Sequence, residues 1–215
     1  SKVTDPELTS NEGFFSERIS KKSVFFNIPS KQLYAGALAP TPTLQLRVIA
    51  ASNDEKYPDH HLQVLFEGSL LNDTIYEGYK RLDYSFQLDT SIINKTASAL
   101  NLKVIDDLGT ESDQCALAYA TLEYAHSLDM EGLSSFNFHV PDNSAQIRSY
   151  LNMSNFNSGG AAHLIDLTNN RFIPVVTNGT NAKALVPNNA NTKHCVLTAE
   201  TAIPKIDTLY SAGVN

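Results

Sequence analysis

Alternation of apolar and polar residues is the feature that most constrains how this chain can fold. From Ser23 onward, apolar side chains recur at every second position, and turn residues interrupt the pattern at intervals of roughly 8 to 12 residues. The pattern predicts strands at residues 24–28, 44–50, 62–66, 84–88, 100–104, 115–126, 136–140, 147–153, 162–167, 172–176, 184–186 and 195–198. The predicted fold class is therefore all-β, a jelly-roll-like antiparallel β-sandwich with a smaller C-terminal β subdomain.

Two short sequences predict tight hairpin turns. Glu67-Gly68 closes the strand that ends at Phe66, with Gly68 supplying a positive φ. Asn178-Gly179 is the strongest hairpin signal in the chain, because Asn and Gly both tolerate the left-handed conformation that a two-residue turn requires.

Helices are predicted to be few and short. Residues 115–126 contain good helix formers, but their alternation indicates a strand that is buried on both faces near the middle of a sheet. Single helical turns are expected only at residues 90–96 and near Asp113.

The pattern of predicted strands changes after Met130-Glu-Gly132. From there on, the predicted strands are short and are joined by Asn-rich and Gly-rich turns. We therefore expect a β-sandwich domain at residues 1–130 and a smaller β-rich subdomain at residues 131–215.

Charge and hydrophobicity exclude two kinds of partner. The chain has 23 acidic and 16 basic residues, a net charge of −7, so it is not expected to bind nucleic acid, which requires clustered Lys and Arg. Its apolar runs are far shorter than the roughly 20 residues that span a bilayer, so it is not expected to cross a membrane. The chain begins without Met or a leader pattern, and any export signal is expected to have been removed or to lie outside it.

The cysteines and histidines show no recognisable catalytic arrangement. His194 and Cys195 are adjacent on a predicted strand, so their side chains should point to opposite faces. Cys115 could meet His126 or His163 in space, but it lies in no glycine-shaped elbow. Cys115 and Cys195 could form a disulfide or remain two separately buried thiols. No catalytic, cofactor-binding or metal-binding residue is assigned.

Two acidic loops are the candidates for a cation site. Oxygen-rich loops of this kind can hold Ca²⁺, although neither follows an EF-hand spacing and solvated acidic loops are the commoner explanation. The adjacent His60 and His61 lack the spaced partners of a zinc site. The first loop contains Asp54, Glu55, Asp59, His60 and His61, and the second contains Asp106, Asp107, Glu111 and Asp113.

A cluster of tyrosines is the candidate for carbohydrate binding. Tyr76, Tyr79 and Tyr84 lie close together in sequence, and exposed aromatic rings can stack on a sugar. The chain has 9 Tyr, 10 Phe and no Trp, so most of these rings are needed to fill the core.

The order of several motifs resembles one known arrangement. The motifs are residues 57–68 with Pro-Asp-His, Tyr76-Glu-Gly-Tyr79, residues 82–88, Asn101-Leu-Lys-Val104 and residues 115–124, followed by residues 149–156 and 163–168. Over about residues 45–210, this order is similar to the β-sandwich region that precedes the catalytic domain in gingipain-like cysteine peptidases of clan CD, family C25. That group includes the sortase of the type IX secretion system of Bacteroidetes. The turn departs from the family pattern, since Glu67 stands where an Asn usually precedes the Gly.

The resemblance implies a noncatalytic module of a secreted or surface peptidase. The family's Gly-His-Gly and its segment of small residues before Cys have no counterpart here, so no catalytic role is transferred. The implied partners are a downstream peptidase domain, expected to begin soon after Asn215, and secretion-system components or glycan. The implied location is extracellular or on the surface of a bacterium. Two alternatives stay open: a carbohydrate- or ligand-binding jelly roll, and an enzyme that uses Cys115 or Cys195 as its nucleophile.

Overall fold

The regular structure is almost entirely β. The computed structural model describes residues 15–36 and 39–205, and within them fifteen strands and two short 3-10 helices, Thr90–Ile92 and Glu200–Ala202, are found. The first eight strands are β1 (Ile19–Ser20), β2 (Ser23–Pro29), β3 (Thr43–Ala50), β4 (His60–Phe66), β5 (Ser69–Tyr76), β6 (Arg81–Gln87), β7 (Ala97–Val104) and β8 (Gln114–Glu123). The others are β9 (Ser135–Val140), β10 (Arg148–Met153), β11 (Ala162–Asp166), β12 (Arg171–Ile173), β13 (Val175–Asn178), β14 (Asn181–Pro187) and β15 (Lys193–Ala199).

The chain divides into two compact units. Unit 1 is Ser1–Ser127 and unit 2 is Leu128–Asn215. The sequence analysis places a domain boundary between residues 130 and 131, and that domain assignment stays a prediction.

Unit 1 is an antiparallel sandwich of two four-stranded sheets, which confirms the predicted fold class. The strand orders are β1-β8-β3-β6 and β2-β7-β4-β5. Consecutive strands fall in alternate sheets, except for the hairpin of β4 and β5, and this is the order of a jelly roll. The core lies between the sheets, where alternate residues of β3, β4 and β7 are fully buried. These residues are Leu44, Leu46, Val48, Leu62, Val64, Phe66, Leu100 and Leu102.

A bulge in β8 changes which of its residues face the core. Arg47 of β3 pairs with Tyr119 and the next residue pairs with Leu117, so Ala118 is an extra residue in the ladder. Cys115 and Leu117 therefore face the core before the bulge, and Ala120 and Leu122 face it afterwards. The strand prediction for this segment is confirmed, but the expectation of one unbroken alternation is wrong.

Strand β5 was not predicted, because its sequence does not alternate. It is the edge strand beside β4, and the pairing shifts between Val64 and Leu65 so that Leu71 is the extra residue. The bulge turns Leu71 towards the core and leaves Leu70 54% exposed. A one-residue change of phase in a half-exposed strand removes the period-two signal.

A hairpin turn is present at each of the two predicted places. Glu67 and Gly68 have φ values of 47° and 78° and join β4 to β5. The second turn lies one residue further along than predicted: Gly179, with a φ of 58°, and Thr180 form it, while Asn178 ends β13 and pairs with Asn181. Positive φ at these positions matches the right-handed twist of a two-stranded hairpin.

The predicted helical turn at residues 90–96 is confirmed in part, by the 3-10 helix Thr90–Ile92, which is capped where the Asp89 carboxylate accepts a hydrogen bond from the Ser91 N–H at 2.8 Å. No helical turn is found at Asp113 or in the described residues beside it, so the second predicted helical turn is wrong. No helix of the described residues has the length and apolar character needed to span a membrane.

Unit 2 contains a four-stranded sheet of order β12-β11-β15-β9 and a three-stranded sheet of order β10-β14-β13. Their strands contribute to one core around Met153, Phe156, Leu164 and Leu197. A fully buried lysine, Lys193, ends 2.6 Å from Asp142 Oδ1, and this ion pair compensates the buried charge.

Candidate functional site

The two acidic loops that the sequence singled out meet in unit 1. Asp54 Oδ2 accepts hydrogen bonds from the backbone N–H groups of Glu111 and Ser112 at 2.8 and 3.0 Å, and its Oδ1 accepts one from Lys56 N at 3.1 Å. These N–H donors hold the pKa of the Asp54 carboxyl below its usual range. One carboxylate thus joins the loop before β4 to the loop before β8.

Beneath these loops lies a buried junction formed by Asp59, His60 and Asp113. Asp59 accepts hydrogen bonds from the backbone N–H groups of Asp54 and Gly78, both at 2.8 Å. His60 Nδ1 lies 2.7 Å from Asp113 Oδ1, and His60 Nε2 lies 3.0 Å from the Ser52 carbonyl oxygen. Both neighbours are acceptors, so the ring is fully hydrogen-bonded when it is protonated and donates from both nitrogens.

The groups around His60 raise the pKa of its ring. Burial lowers the pKa of His60, but the hydrogen bond to Asp113, the Ser52 carbonyl and the charges of Asp113 and Asp59 outweigh burial and leave the pKa raised. Tyr76 stacks on the imidazole with ring centroids 4.7 Å apart, and desolvation raises the pKa of this tyrosine strongly. Protonation of the buried His60 ring is therefore favoured by the neighbouring carboxylates, and an aromatic ring covers the imidazole.

His61 points to the opposite face of β4, as strand alternation requires. Its Nδ1 lies 2.9 Å from the Asp107 carboxylate and its Nε2 lies 2.6 Å from Asp73 Oδ1. Burial opposes protonation here too, but the two carboxylates prevail and the pKa of His61 is raised. Its backbone N–H donates to Asp113 Oδ2 at 3.0 Å, so the two histidine positions share one carboxylate.

The junction is built to hold loops together. The ring nitrogens of both histidines are occupied by acceptors, and His60 has no exposed surface. A general base needs a free nitrogen within reach of a substrate proton, which this arrangement does not offer. Within residues 15–36 and 39–205 no group of three or more His, Cys, Asp or Glu side chains is placed to hold a metal ion. Calcium binding by the acidic loops stays a prediction.

The two cysteines are buried thiols in the cores of their respective units. Both are free, and neither has exposed surface. Desolvation raises the pKa of Cys115 to about 12 and that of Cys195 to about 11. Since the thiolate is the nucleophile, such groups are inert at neutral pH. Cys195 faces the core of unit 2, while His194 lies on the other face of β15.

The three clustered tyrosines do not form one exposed surface. Tyr76 is 6% exposed because it covers His60, and Tyr84 packs against the core beside Phe86. Tyr79 is 40% exposed and is the member of the cluster that can meet a ligand.

Tyr79 borders a cavity of about 310 Å³ in unit 1. Its walls are mainly apolar, and Arg18 supplies a positive charge at the lining. The lining residues are Phe15, Ser16, Arg18, Ile49, Ala50, Ala51, Tyr79 and Ala116. These residues come from four separate stretches of the chain, so the sequence alone did not predict the cavity. The signal that pointed towards it was Tyr79, as a member of the tyrosine cluster.

Comparison with known proteins relates this chain to others by fold. No family model and no curated protein matches the sequence. Among solved structures the chain is similar to dimeric latent PorU from Porphyromonas gingivalis, with a TM-score of 0.55 and 11% sequence identity. The match covers 88% of this chain and 19% of PorU, so this chain spans less than a quarter of that protein's length. The likeness is one of fold.

Proposed function

We propose that this chain is a noncatalytic β-sandwich module of a gingipain-like cysteine peptidase, and that it assists folding, orientation or substrate access of a catalytic domain in the same polypeptide. The observation that carries the proposal is the fold match to PorU, a gingipain-like type IX sortase, over 88% of the chain. The order of motifs from residue 57 to residue 168 supports the same assignment.

The chemistry of the described residues supports a noncatalytic role. Cys115 and Cys195 are buried with raised pKa values, and His60 and His61 have both ring nitrogens bound to acceptors. A Cys-His peptidase needs an activated thiolate that substrate can reach. The module would therefore serve a catalytic centre supplied elsewhere in the polypeptide.

This role carries two further proposals. The parent protein acts outside the cell or at the cell surface of a bacterium, and secretion-system components are among its partners. Both are supported by the likeness in fold to PorU.

The first test is the reading frame that encodes this chain. We expect it to continue into a segment with Gly-His-Gly and a cysteine preceded by small residues. The parent protein is then expressed with and without residues 15–205, and the yield of folded, active peptidase is measured. We expect the yield to fall sharply without the module. A reading frame without such a segment contradicts the proposal.

The second test uses the isolated chain. A peptide acyloxymethyl ketone that alkylates active cysteine peptidases should leave both thiols unmodified, as read by intact mass. Labelling or proteolysis that disappears in Cys115→Ala or Cys195→Ala shows instead that the chain is itself an enzyme.

The cavity supports a second candidate function, a ligand-binding jelly roll. Its apolar walls, the exposed Tyr79 and the Arg18 guanidinium suit a small ligand with a flat apolar body, a sugar included. A glycan array and a fragment screen by NMR test this candidate, with Tyr79→Ala as the disabling variant. Tyr57→Ala is the matched control, because Tyr57 is exposed and does not line the cavity. A blank array and an empty screen exclude this function.

A further inference from the structure

Two histidines of unit 2 stand directly opposite each other on neighbouring strands. His139 of β9 pairs with His194 of β15, and their rings stack with centroids 4.9 Å apart and planes inclined by 22°. His139 is exposed and His194 is half-buried, on the face of the sheet away from the core.

The backbone explains why these rings are so close. The His194 N–H donates to Thr168 Oγ1 at 2.9 Å, and its carbonyl accepts from the Leu167 N–H at 2.8 Å. Both backbone groups of His194 therefore point towards β11 and away from β9. His139 and His194 form a non-hydrogen-bonded pair, the kind in which opposite side chains of an antiparallel ladder approach most closely.

The ring nitrogens of this pair are available as ligands. Within the described part of the chain, no hydrogen bond or ion pair engages the imidazole nitrogens of His139 or His194. His60 and His61 differ in this respect, since acceptors occupy all four of their ring nitrogens. A neutral imidazole nitrogen with no other partner is the commonest metal ligand that proteins offer.

The spacing fits a shared metal ion. Two imidazoles bound to one tetrahedral ion have ring centroids about 5 Å apart, given metal–nitrogen distances of about 2.0–2.1 Å. The observed separation of 4.9 Å shows that the two rings are already about as close as two ligands of one ion, although they lie stacked. To share one ion, the stacked rings would have to turn about their side-chain bonds.

We propose that His139 and His194 form a two-histidine clip for a divalent transition metal, with water completing the coordination. The proposal concerns unit 2 and does not depend on the proposed function. Imidazole ligands favour Cu²⁺, Ni²⁺ and Zn²⁺ over Mg²⁺ and Ca²⁺, which prefer oxygen. Cu²⁺ should bind more tightly than Zn²⁺, in the order that is general for nitrogen ligands.

Titration of the untagged 215-residue chain with Zn²⁺ at pH 7.5, followed by calorimetry, tests the clip. We expect one ion per chain at this site. His139→Gln and His194→Gln should each weaken binding by about a hundredfold, the low end of what linking two ligands adds. His163→Gln is the matched control, because His163 lies on the same face of the sheet but pairs with Thr198, four residues along β15 from His194. This control should bind like the parent chain.

A second readout separates ligation from a general effect on folding. With one equivalent of Cu²⁺, the electron paramagnetic resonance spectrum should show coupling to two imidazole nitrogens in the parent chain and to one in either variant. Circular dichroism should be the same for all the proteins, because both side chains lie at the surface. The clip is rejected if no saturable binding occurs, if the two variants bind as the control does, or if each ion binds two chains.

Discussion

His60 and His61 are adjacent residues whose rings are held by different acceptors, and both have raised pKa values. A group with a raised folded-state pKa stabilises fully below its unfolded value, about 6.5 for His, and the contribution is lost as pH rises through the folded pKa. We therefore expect the free energy of unfolding of unit 1 to decrease as pH rises above about 6.5. Urea unfolding followed by circular dichroism between about pH 6 and pH 9 measures this slope.

Variants of the two histidines show which ring causes the free energy of unfolding to decrease with pH. His60→Gln should destabilise unit 1 by about 3 kcal/mol at pH 6, because it leaves the buried Asp113 without its cation. His61→Gln should have a smaller effect, about 1 kcal/mol, since its carboxylate partners are 43% and 48% exposed to solvent. Both variants should flatten the slope, and His163→Gln should leave it unchanged. A slope that survives in the His60→Gln, His61→Gln double variant contradicts this explanation.

The cysteines give a second prediction at the level of single residues. Burial raises the pKa of Cys115 to about 12 and that of Cys195 to about 11. Iodoacetamide at pH 8 should therefore modify neither thiol in the folded chain and both in urea, as measured by intact mass. Rapid alkylation of either thiol in the folded protein contradicts the assigned burial.

The hairpin of β4 and β5 makes a prediction at the level of elements. Gly68 has a φ of +78°, and a Cβ placed there meets nothing within 4 Å. Gly68→Ala should therefore destabilise unit 1 through backbone strain alone, by about 1–2 kcal/mol. Ser69→Ala, one residue further and exposed, is the control and should change the free energy of unfolding little. Equal urea midpoints for the two variants would exclude strain at the turn.

Strands were predictable from the sequence wherever the alternation of apolar and polar residues is unbroken. Residues 44–50 and 62–66 are strands in which alternate residues are buried, as the sequence predicts. The bulges at Ala118 and at Leu71 each shift the alternation of buried and exposed residues by one position. The bulge at Leu71 is the reason why the sequence pattern does not predict β5. A bulge depends on the partner strand, so a pattern read along one strand cannot locate it.

At the scale of the whole molecule, the division at Ser127 and Leu128 predicts two separable folding units. A fragment of residues 1–127 should fold alone and keep the pH dependence attributed to His60 and His61, because all of the acceptors of their rings lie in unit 1. Circular dichroism and urea unfolding of the fragments 1–127 and 128–215 test this. A 1–127 fragment that stays unfolded shows that unit 1 depends on residues beyond Ser127.

The sequence by itself determined the fold class and the places of two hairpin turns. These properties depend on local chemistry, namely apolar periodicity and the conformational freedom of Gly, which residues near in sequence reveal. The tertiary structure alone decided which polar residues meet. Asp54 reaches Ser112, and His60 reaches Asp113, because the order of strands in a jelly roll brings distant loops together. The pairing of His139 with His194 likewise follows from strand register, and register is set by how whole sheets pack.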